Sequence, residues 1–237
     1  MKKNISFQIL LFFLITLTGY SQSLYKEVAE INDSVDYYLE IAIFNKEDKK
    51  SFNKAIVYTE KAIDFATNNK LEGKLADCYL VLGGIYYDLE KTETAIEHFI
   101  RSINIYTKDE ANSNLALAYY NLGKCYLEKD KPELSEIYFK KATSIYQSLD
   151  FDEAIELINL QKGILQKNKG KTILAENIFR NVISNISNSD ALIDTKIEAY
   201  YQLGEINFLN HNYTAAINDL ELALKTNQNN NIYKKKK

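Results

Sequence analysis

A repeat with a period of about 40 residues is the feature that most constrains the fold of this chain. The two clearest copies share an aromatic residue, Leu-Gly, a second aromatic residue, then a small residue and Phe: Tyr79, Leu82, Gly83, Tyr86, Ala95 and Phe99, followed by Tyr119, Leu122, Gly123, Tyr126, Ser135 and Phe139. Gly163 with Phe179, and then Gly204, continue the register, and counting back from Gly83 reaches Ile43. The steps are equal except for the last, which is one residue longer. A constant period of this size is typical of repeat architectures, so we expect five units of one supersecondary structure.

Each unit is predicted to form two antiparallel helices. In the second unit, residues 72–90 place apolar side chains at i, i+3, i+4 and i+7, which is one face of a helix. A polar break at Lys91-Thr92 precedes a second amphipathic stretch, and the small residues Gly83 and Ala95 would let the two helices approach closely. Pro132 suits the first turn of the corresponding helix in the third unit, because its missing N–H needs no partner there. With one Pro and eight Gly, the chain is poor in the residues that turn-rich β folds require.

The order of aromatic, Leu-Gly, Tyr, Ala and Phe resembles the tetratricopeptide repeat family over about residues 30–229. The resemblance implies an all-α fold: a right-handed α-solenoid of about five stacked helix-turn-helix repeats with a concave binding face. The family's usual unit has about 34 residues, so units of about 40 predict helices roughly one turn longer. The first unit has Ile43 where Gly is expected. The fourth has Asn159, Lys162 and Gln166 at motif positions, so its hairpin is expected to pack with altered geometry.

The expected organisation is one domain between two short segments. Residues 1–21 are assigned to a signal peptide, residues 22–229 to the repeat domain and residues 230–237 to a polar, Lys-rich tail. The five units are placed at residues 30–70, 71–110, 111–150, 151–190 and 191–229. Because no Gly-, Ser- or Pro-rich linker interrupts the array, and one hairpin cannot bury its apolar face alone, we expect a single solenoid.

The N-terminal residues have the layout of a secretory signal peptide. Lys2 and Lys3 precede an apolar run over residues 9–15, and Gly19-Tyr20-Ser21 places small residues at a cleavage site. The run is shorter than the roughly 20 residues that a membrane-spanning helix needs. We therefore expect cleavage near Ser21, export to the periplasm or the exterior, and no transmembrane span in the mature chain. The alternative is an uncleaved N-terminal anchor.

The charge distribution argues against a nucleic-acid partner. The chain carries −3 overall, but without Lys2, Lys3 and the four lysines of residues 234–237 the remainder carries −9. Nucleic-acid binding requires a clustered basic face, and an acidic body does not supply one. The terminal lysines are interpreted as a solvated tail, with contact to a membrane surface or an acidic partner as the alternative.

Two cysteines, Cys78 and Cys125, fall inside predicted helices at non-equivalent repeat positions. Export would permit a disulfide, but the two Cα atoms would have to approach within about 7 Å. We expect two buried free thiols, because free Cys behaves as a small apolar residue, and a disulfide remains the alternative.

The tetratricopeptide repeat resemblance also implies where a ligand would bind, since the family's first helices line the concave face. Transferred to this chain, the groove positions give a ligand-binding surface that mixes aromatic, apolar and charged side chains: Tyr37, Phe44, Asp77, Leu80, Tyr87, Tyr120, Lys124, Leu127, Tyr201 and Phe208. Further positions of the same set are Glu40, Asp88, Leu117, Glu198 and Glu205. Tyr suits contact surfaces because it offers apolar area, a polar tip and little rotamer entropy to lose. The alternative is that some of these side chains pack inside long helices. A clamp for a terminal carboxylate is not expected, because Lys124 is the only base in the set.

Catalytic, metal and cofactor sites are not expected. The two histidines, His98 and His211, have no metal-ligand partner at i+4. The sequence has no G-x-S-x-G nucleophile motif and no phosphate-binding Gly loop. We therefore predict a protein that is not an enzyme and that needs no cofactor.

The last predicted helix, about residues 213–225, is unusually apolar for the end of a repeat array. Its apolar residues are Ala215, Ala216, Ile217, Leu220, Leu222, Ala223 and Leu224. Repeat arrays need a terminal cap with a polar outer face, so we expect these side chains to stay partly exposed. One interpretation is self-association or partner docking through this helix. The other is a truncated chain, because the layout resembles extracytoplasmic bacterial tetratricopeptide proteins and the repeat-containing sensor regions of signalling regulators.

The sequence as a whole predicts a non-enzymatic scaffold that binds a peptide or protein segment on its concave face. The alternative is the extracytoplasmic sensory part of a bacterial signal-transduction regulator. The identity of the partner and the oligomeric state stay open.

Overall fold

A computed structural model describes residues 34–46, 51–106, 112–186 and 192–234, with side chains described as far as residue 228. The predicted signal peptide and its cleavage site lie outside the described residues. The described part forms ten α-helices and no strand: α1 (residues 34–46), α2 (Phe52–Asn68), α3 (Glu72–Asp88), α4 (Thr92–Tyr106), α5 (Ser113–Glu128), α6 (Pro132–Ser148), α7 (Asp152–Asn168), α8 (Thr172–Asn185), α9 (Ile193–Leu209) and α10 (Tyr213–Lys234). The predicted all-α fold is confirmed.

The chain divides into two compact units, with the boundary between Lys91 and Thr92. Unit 1 contains α1 to α3, and unit 2 contains α4 to α10. Within each unit, helices that follow one another along the chain pack together, as expected for helical hairpins. The boundary falls inside the predicted repeat at residues 71–110. The expectation of a single continuous solenoid therefore stays a prediction.

Unit 1 has a small core that joins its three helices. Val35 and Leu39 of α1 meet Ala62 and Ala66 of α2 and Cys78 of α3. On α1 and on α2 these side chains recur at a four-residue spacing, so each helix turns one apolar stripe inward. The small residues of α2 leave room for the larger side chains of α1.

Each hairpin from α5 onward is closed by a glycine of its first helix that lies against a large side chain of its second helix. A Cβ added to Gly123 would lie 2.6 Å from two ring carbons of Phe139, and one added to Gly204 would lie 2.8 Å from Cγ of Leu220. At Gly163 an added Cβ would collide with the ring of Phe179. The close approach predicted at Gly83 of the second unit is present at the equivalent glycines of the three later units. Only a residue without a side chain permits helices to approach this closely.

The other residues that define the repeat are also in the interior. Those with less than a tenth of their surface exposed are Leu82, Gly83, Ala95, Phe99, Tyr119, Leu122, Gly123, Phe139, Gly163, Phe179 and Gly204. Tyr79, Tyr86 and Tyr126 are half-buried. Tyr126 stacks on Tyr138 with ring centroids 5.4 Å apart, which shows how a half-buried tyrosine covers the edge of the core.

The short turns between helices share one backbone geometry. Six connections between described helices have only three residues, and the middle residue has a positive φ: Lys70, Glu90, Asp130, Asp150, Gly170 and His211. In the turn after α5, the N–H of Lys131 donates to the carbonyl oxygen of Tyr126 (2.9 Å). This is the hydrogen bond that ends a helix with a left-handed residue, a position that favours Gly. The chain uses Gly at only one of the six turns.

The last helix is longer than predicted. α10 continues to Lys234, whereas the sequence placed its end near Lys225 and a separate tail from residue 230. The stretch after Lys225 contains no Pro or Gly, the two residue types that interrupt helices most strongly. The predicted exposure is confirmed for Ile217 (59%), Leu220 (41%) and Leu224 (57%). It is wrong for Ala216 and Ala223, which are buried. Self-association through this helix stays a prediction.

Of the helices in the described ranges, none combines the length and the apolar composition that crossing a bilayer requires.

Candidate functional site

The first helices of the hairpins in unit 2 lie side by side. α7 contacts α5 on one side and α9 on the other, besides its own partner α8. Side chains at equivalent positions of these three helices therefore contribute to one surface, here called the first-helix surface of unit 2. Leu117, Leu157 and Glu198 form one row of equivalent positions, and Leu127, Lys167 and Phe208 form another.

The most exposed aromatic residues of this surface are on α9. Tyr201 is 47% exposed and Phe208 is 60% exposed, and Leu117 on α5 is 37% exposed. A spacing of seven residues puts Tyr201 and Phe208 on one face of α9, about 10 Å apart along the axis. Both residues were predicted for the ligand-binding surface, and both are accessible there.

Tyr120, also predicted for this surface, is largely covered by its neighbours. Its ring lies 6.2 Å from the ring of Phe139, and the Lys124 ammonium lies 5.8 Å from its centroid. Burial raises the pKa of Tyr120 to about 12, and Tyr146 adds to the effect, so the hydroxyl stays protonated. Lys124 and Leu127 are themselves half-buried. The α5 part of the surface therefore offers less open aromatic area than the α9 part.

A charged network crosses from α7 to α9. Lys167 donates hydrogen bonds to Gln202 and to Glu205 Oε2 (2.7 Å), and Gln202 Nε2 donates to Glu198 Oε1 (2.8 Å). Lys167 thereby compensates the charge of Glu205, one of the predicted groove positions. Sequence analysis missed Lys167 and Gln202. The signal for Lys167 was present, because it stands at the position equivalent to Leu127 and Phe208.

In unit 1 the predicted residues divide into exposed, half-buried and buried groups. Tyr37 is 60% exposed and Phe44 is 76% exposed, both on α1, while Asp77 and Tyr87 are half-buried on α3. Leu80 is only 7% exposed, so its side chain belongs to the interior; this corrects its assignment to a ligand-binding face. The physical reason is that an aliphatic side chain gains from leaving water, and here the folded chain covers it.

Acidic residues of unit 1 are held by lysines from neighbouring helices. Lys74 on α3 contacts Asp36 on α1 (2.6 Å), and Lys46 on α1 contacts Asp88 on α3 (3.0 Å). One pair joins the beginnings of α1 and α3, and the other joins their ends. Because each pair is partly exposed, we expect it to fix the register of the helices more than to stabilise the fold.

Within the described part of the chain, burial shifts the pKa values of both cysteines and of His98. Cys78 and Cys125 are buried free thiols, as predicted, and burial raises the pKa of each to about 12. Neither thiol therefore forms the reactive thiolate at neutral pH. Burial, followed by the charge of Arg101, lowers the pKa of His98. Within the described ranges, no group of His, Cys, Asp and Glu is placed to hold a metal ion.

Comparison with known families identifies the repeats at two places. The sequence model described as tetratricopeptide repeat matches residues 74–148, and the one described as SHNi-TPR matches residues 198–230. The first match covers the clearest two copies of the motif, and the second covers most of the α9–α10 hairpin. No curated protein sequence matches the chain significantly.

Solved structures with similar folds are repeat proteins. BtubC from P. vanneervenii is 16% identical with a TM-score of 0.68, and the match covers 88% of this chain and 92% of that one. The Rap conjugation gene regulator of plasmid pLS20, solved in complex with the Phr* peptide, is 20% identical with a TM-score of 0.69. That match covers 86% of this chain but 56% of the regulator, so this chain spans little more than half of its length. YrrB, a TPR protein with an unusual peptide-binding site, is 19% identical with a TM-score of 0.50, covering 90% and 97% of the two chains.

The helical hairpins, the glycine contacts and the two family matches lead to the same assignment. At these identities the solved structures indicate the fold alone. Residues 74–148 and 198–230 are tetratricopeptide repeats, and the fold of the chain is that of a tetratricopeptide repeat protein.

Proposed function

We propose that this protein is an interaction scaffold whose first-helix surface of unit 2 binds a peptide or a segment of a partner protein. The observation that carries the proposal is the pair Tyr201 and Phe208, two large aromatic side chains that are about half exposed on one face of α9. Exposing aromatic side chains to water is unfavourable, and such residues are enriched at the centres of protein interfaces. Their shared face gives a ligand two anchoring positions.

The polar groups beside the aromatic pair suit the backbone of a bound segment. Glu198 and Glu205 flank Tyr201 on α9, and Lys167 with Gln202 links them into one network. Such groups can exchange hydrogen bonds with peptide N–H and C=O groups, while the rings contact apolar side chains. Binding would thus combine an apolar centre with a polar rim.

The family supports this kind of function. The tetratricopeptide repeat fold serves as a protein-interaction scaffold, and two of the similar structures are described as binding peptides. If the predicted leader directs export, the partner would be met outside the cytoplasm.

A peptide selection with matched variants tests the proposal. Peptides of random sequence would be selected on the full chain, and their affinity measured by fluorescence anisotropy. We expect Tyr201→Ala combined with Phe208→Ala to weaken binding at least tenfold, because the two contacts supply most of the apolar area. Ile173→Ala is the control, since Ile173 is 77% exposed but lies on the second helix α8.

Two outcomes would reject the proposal. The first is unchanged affinity in the double variant, provided circular dichroism shows the same helix content as the parent. The second is an equal loss of affinity in the Ile173→Ala control, which would place the binding surface on the second helices.

A further inference from the structure

Unit 1 contains a cleft between α1 and α2 that the predicted groove residues do not line. Its volume is about 430 Å³, which falls within the usual range for ligand-binding clefts. Ile41 and Asn45 line it from α1, and Val57 and Tyr58 line it from α2. The floor is thus largely apolar, and a cleft of this size has room for more than one side chain of a ligand.

Asn53 and two lysines complete the lining on the α2 side. Lys54 and Lys61 stand seven residues apart, with Val57 and Tyr58 between them at three and four residues from each. This spacing places all four side chains on one face of α2, with the two lysine positions about 10 Å apart along the helix axis. The cleft therefore has a positive group toward each end and apolar side chains between them.

The charges of these lysines are not compensated by acids in the described part of the chain. Within those ranges neither Lys54 nor Lys61 forms an ion pair, and both are exposed. The acids of α2, Glu60 and Asp64, do not line the cleft. Lys46 of the same unit, by contrast, is paired with an acid. In a chain of net charge −3, this is a place where an anionic group would gain from binding.

One of the two ammonium groups is positioned by aromatic rings. Lys61 Nζ lies 5.0 Å from the ring centroid of Tyr58 and 6.0 Å from that of Tyr38, which is the geometry of a cation–π contact. Holding the ammonium over the rings reduces the entropy that it would lose on pairing with a ligand. Asn45 Nδ2 already donates to the carbonyl oxygen of Ile41 (2.7 Å), so its side-chain oxygen can accept a bond from a ligand N–H.

We propose that this cleft binds an acidic peptide segment in which an apolar side chain lies between two carboxylates, spaced to match the two lysines. Lys54 and Lys61 would each pair with one carboxylate, and the apolar side chain would contact Ile41 and Val57. The inference rests on the proposed role of the protein as a peptide-binding scaffold, but it uses a different unit and different residues. The cleft requires an acidic ligand, whereas the charge of the ligand for the first-helix surface of unit 2 is left open.

A pair of synthetic peptides tests the charge requirement. The probe is a fluorescein-labelled peptide with two Glu residues three positions apart and Leu between them; three residues of an extended chain span about 9 Å. The reference is the same peptide with Gln at both positions. We expect the full chain to bind the Glu peptide at least tenfold more tightly at low salt, and the difference to shrink at higher salt.

Matched lysine variants test the location. Lys54→Gln combined with Lys61→Gln should abolish the difference between the two peptides. Lys140→Gln combined with Lys225→Gln removes the same charge from exposed positions of unit 2 and should leave the difference intact. Equal binding of the two peptides to the parent chain would overturn the proposal. A difference that survives in the Lys54 and Lys61 variant, or that disappears in the control, would also overturn it.

The test is separable from that of the proposed function. Tyr201→Ala combined with Phe208→Ala should not change binding of the Glu peptide, and a loss there would mean that the peptide binds unit 2, which overturns the cleft. The selected peptides could bind the Tyr201 and Phe208 double variant as tightly as the parent, while the Glu peptide still requires both lysines. That result would reject the proposed binding surface of unit 2 and retain the proposed cleft.

Discussion

The hairpin of α7 and α8 and the hairpin of α9 and α10 follow the same plan but bury their second helices to different extents. In both, a glycine of the first helix meets a large side chain of the second: Gly163 with Phe179, and Gly204 with Leu220. Phe179 is fully buried, whereas Leu220 is 41% exposed. Both hairpins therefore have the glycine contact, but only the hairpin of α7 and α8 fully buries the side chain that makes it.

The difference comes from the next hairpin rather than from the helix itself. α8 packs against α7 on one side and α9 on the other, and its Ile183 joins the core that these helices share. Leu224 stands at the equivalent position of α10 and is 57% exposed. The first helix of the same hairpin thus covers only part of the apolar stripe on the second helix. The following first helix supplies the rest of the contact.

The largest expected effect is on the side chain that faces the repeat glycine. Phe179→Ala should lower the free energy of unfolding by about 3–5 kcal/mol, because it empties a fully buried site. Leu220→Ala should cost only about 1 kcal/mol, because the side chain is partly in water already. Urea denaturation followed by circular dichroism measures both. Equal losses would show that Leu220 is covered in solution and would remove the contrast between the hairpins.

A smaller effect is expected at the glycines themselves. Gly163→Ala should lower the free energy of unfolding by about 1–3 kcal/mol, because the ring of buried Phe179 cannot move away from a new Cβ. Part of this loss is offset by the better helix propensity of Ala, worth up to about 1 kcal/mol. Gly204→Ala should be close to neutral, because Leu220 can change rotamer toward solvent.

The same denaturation experiment compares the two glycine variants, with Gly73→Ala as the control. Gly73 has nothing near its Cβ direction and reports helix propensity alone. If Gly204→Ala were as unstable as Gly163→Ala, Leu220 would not be able to change rotamer toward solvent, which would contradict this explanation.

The smallest expected effect is at the turns. The α7–α8 turn has Gly170 at φ +74°, and the α9–α10 turn has His211 at φ +61°. Gly170→Ala should lower the free energy of unfolding by about 1 kcal/mol, and His211→Gly should raise it by up to about 1 kcal/mol, since only Gly adopts this conformation without strain. Thermal and urea unfolding check both.

The side chain of His211 also contacts Tyr213, with Nδ1 3.0 Å from the Tyr213 hydroxyl. His211→Ala separates that contact from the backbone effect, because it removes the contact and keeps the strain. If His211→Gly is no more stable than His211→Ala, the left-handed conformation carries no strain at this turn.

Much of the fold could be predicted because it depends on local spacing. The repeat period predicted the hairpins. The close helix contact that was predicted at Gly83 is present at the equivalent positions Gly123, Gly163 and Gly204. The end of α10 could not be predicted in the same way. The Asn-rich stretch after Lys225 was predicted to be a separate tail, but it contains no Pro or Gly, and the helix continues to Lys234.

The candidate sites were less predictable, because equivalent positions in a repeat differ in exposure. Leu80 and Tyr201 occupy the same place in the motif, but Leu80 is 7% exposed and Tyr201 is 47% exposed. The cleft of Lys54 and Lys61 was not predicted, because the family resemblance implies a ligand only on the first helices, and both lysines are on the second helix α2. The sequence does show two lysines seven residues apart with apolar residues between them. A cleft forms there only because α1 supplies its other wall.

The sequence by itself determined that this protein is an all-α repeat protein with glycines at the closest helix contacts. Those properties follow from spacing along one helix, which the chain encodes directly. The tertiary structure alone decided which members of each apolar and charged stripe remain accessible, because exposure depends on the neighbouring helix. It also decided which acids are compensated by a distant lysine, as Asp36 is by Lys74. That is why the repeat could be read from the residues, while the surfaces that we propose to bind partners could not.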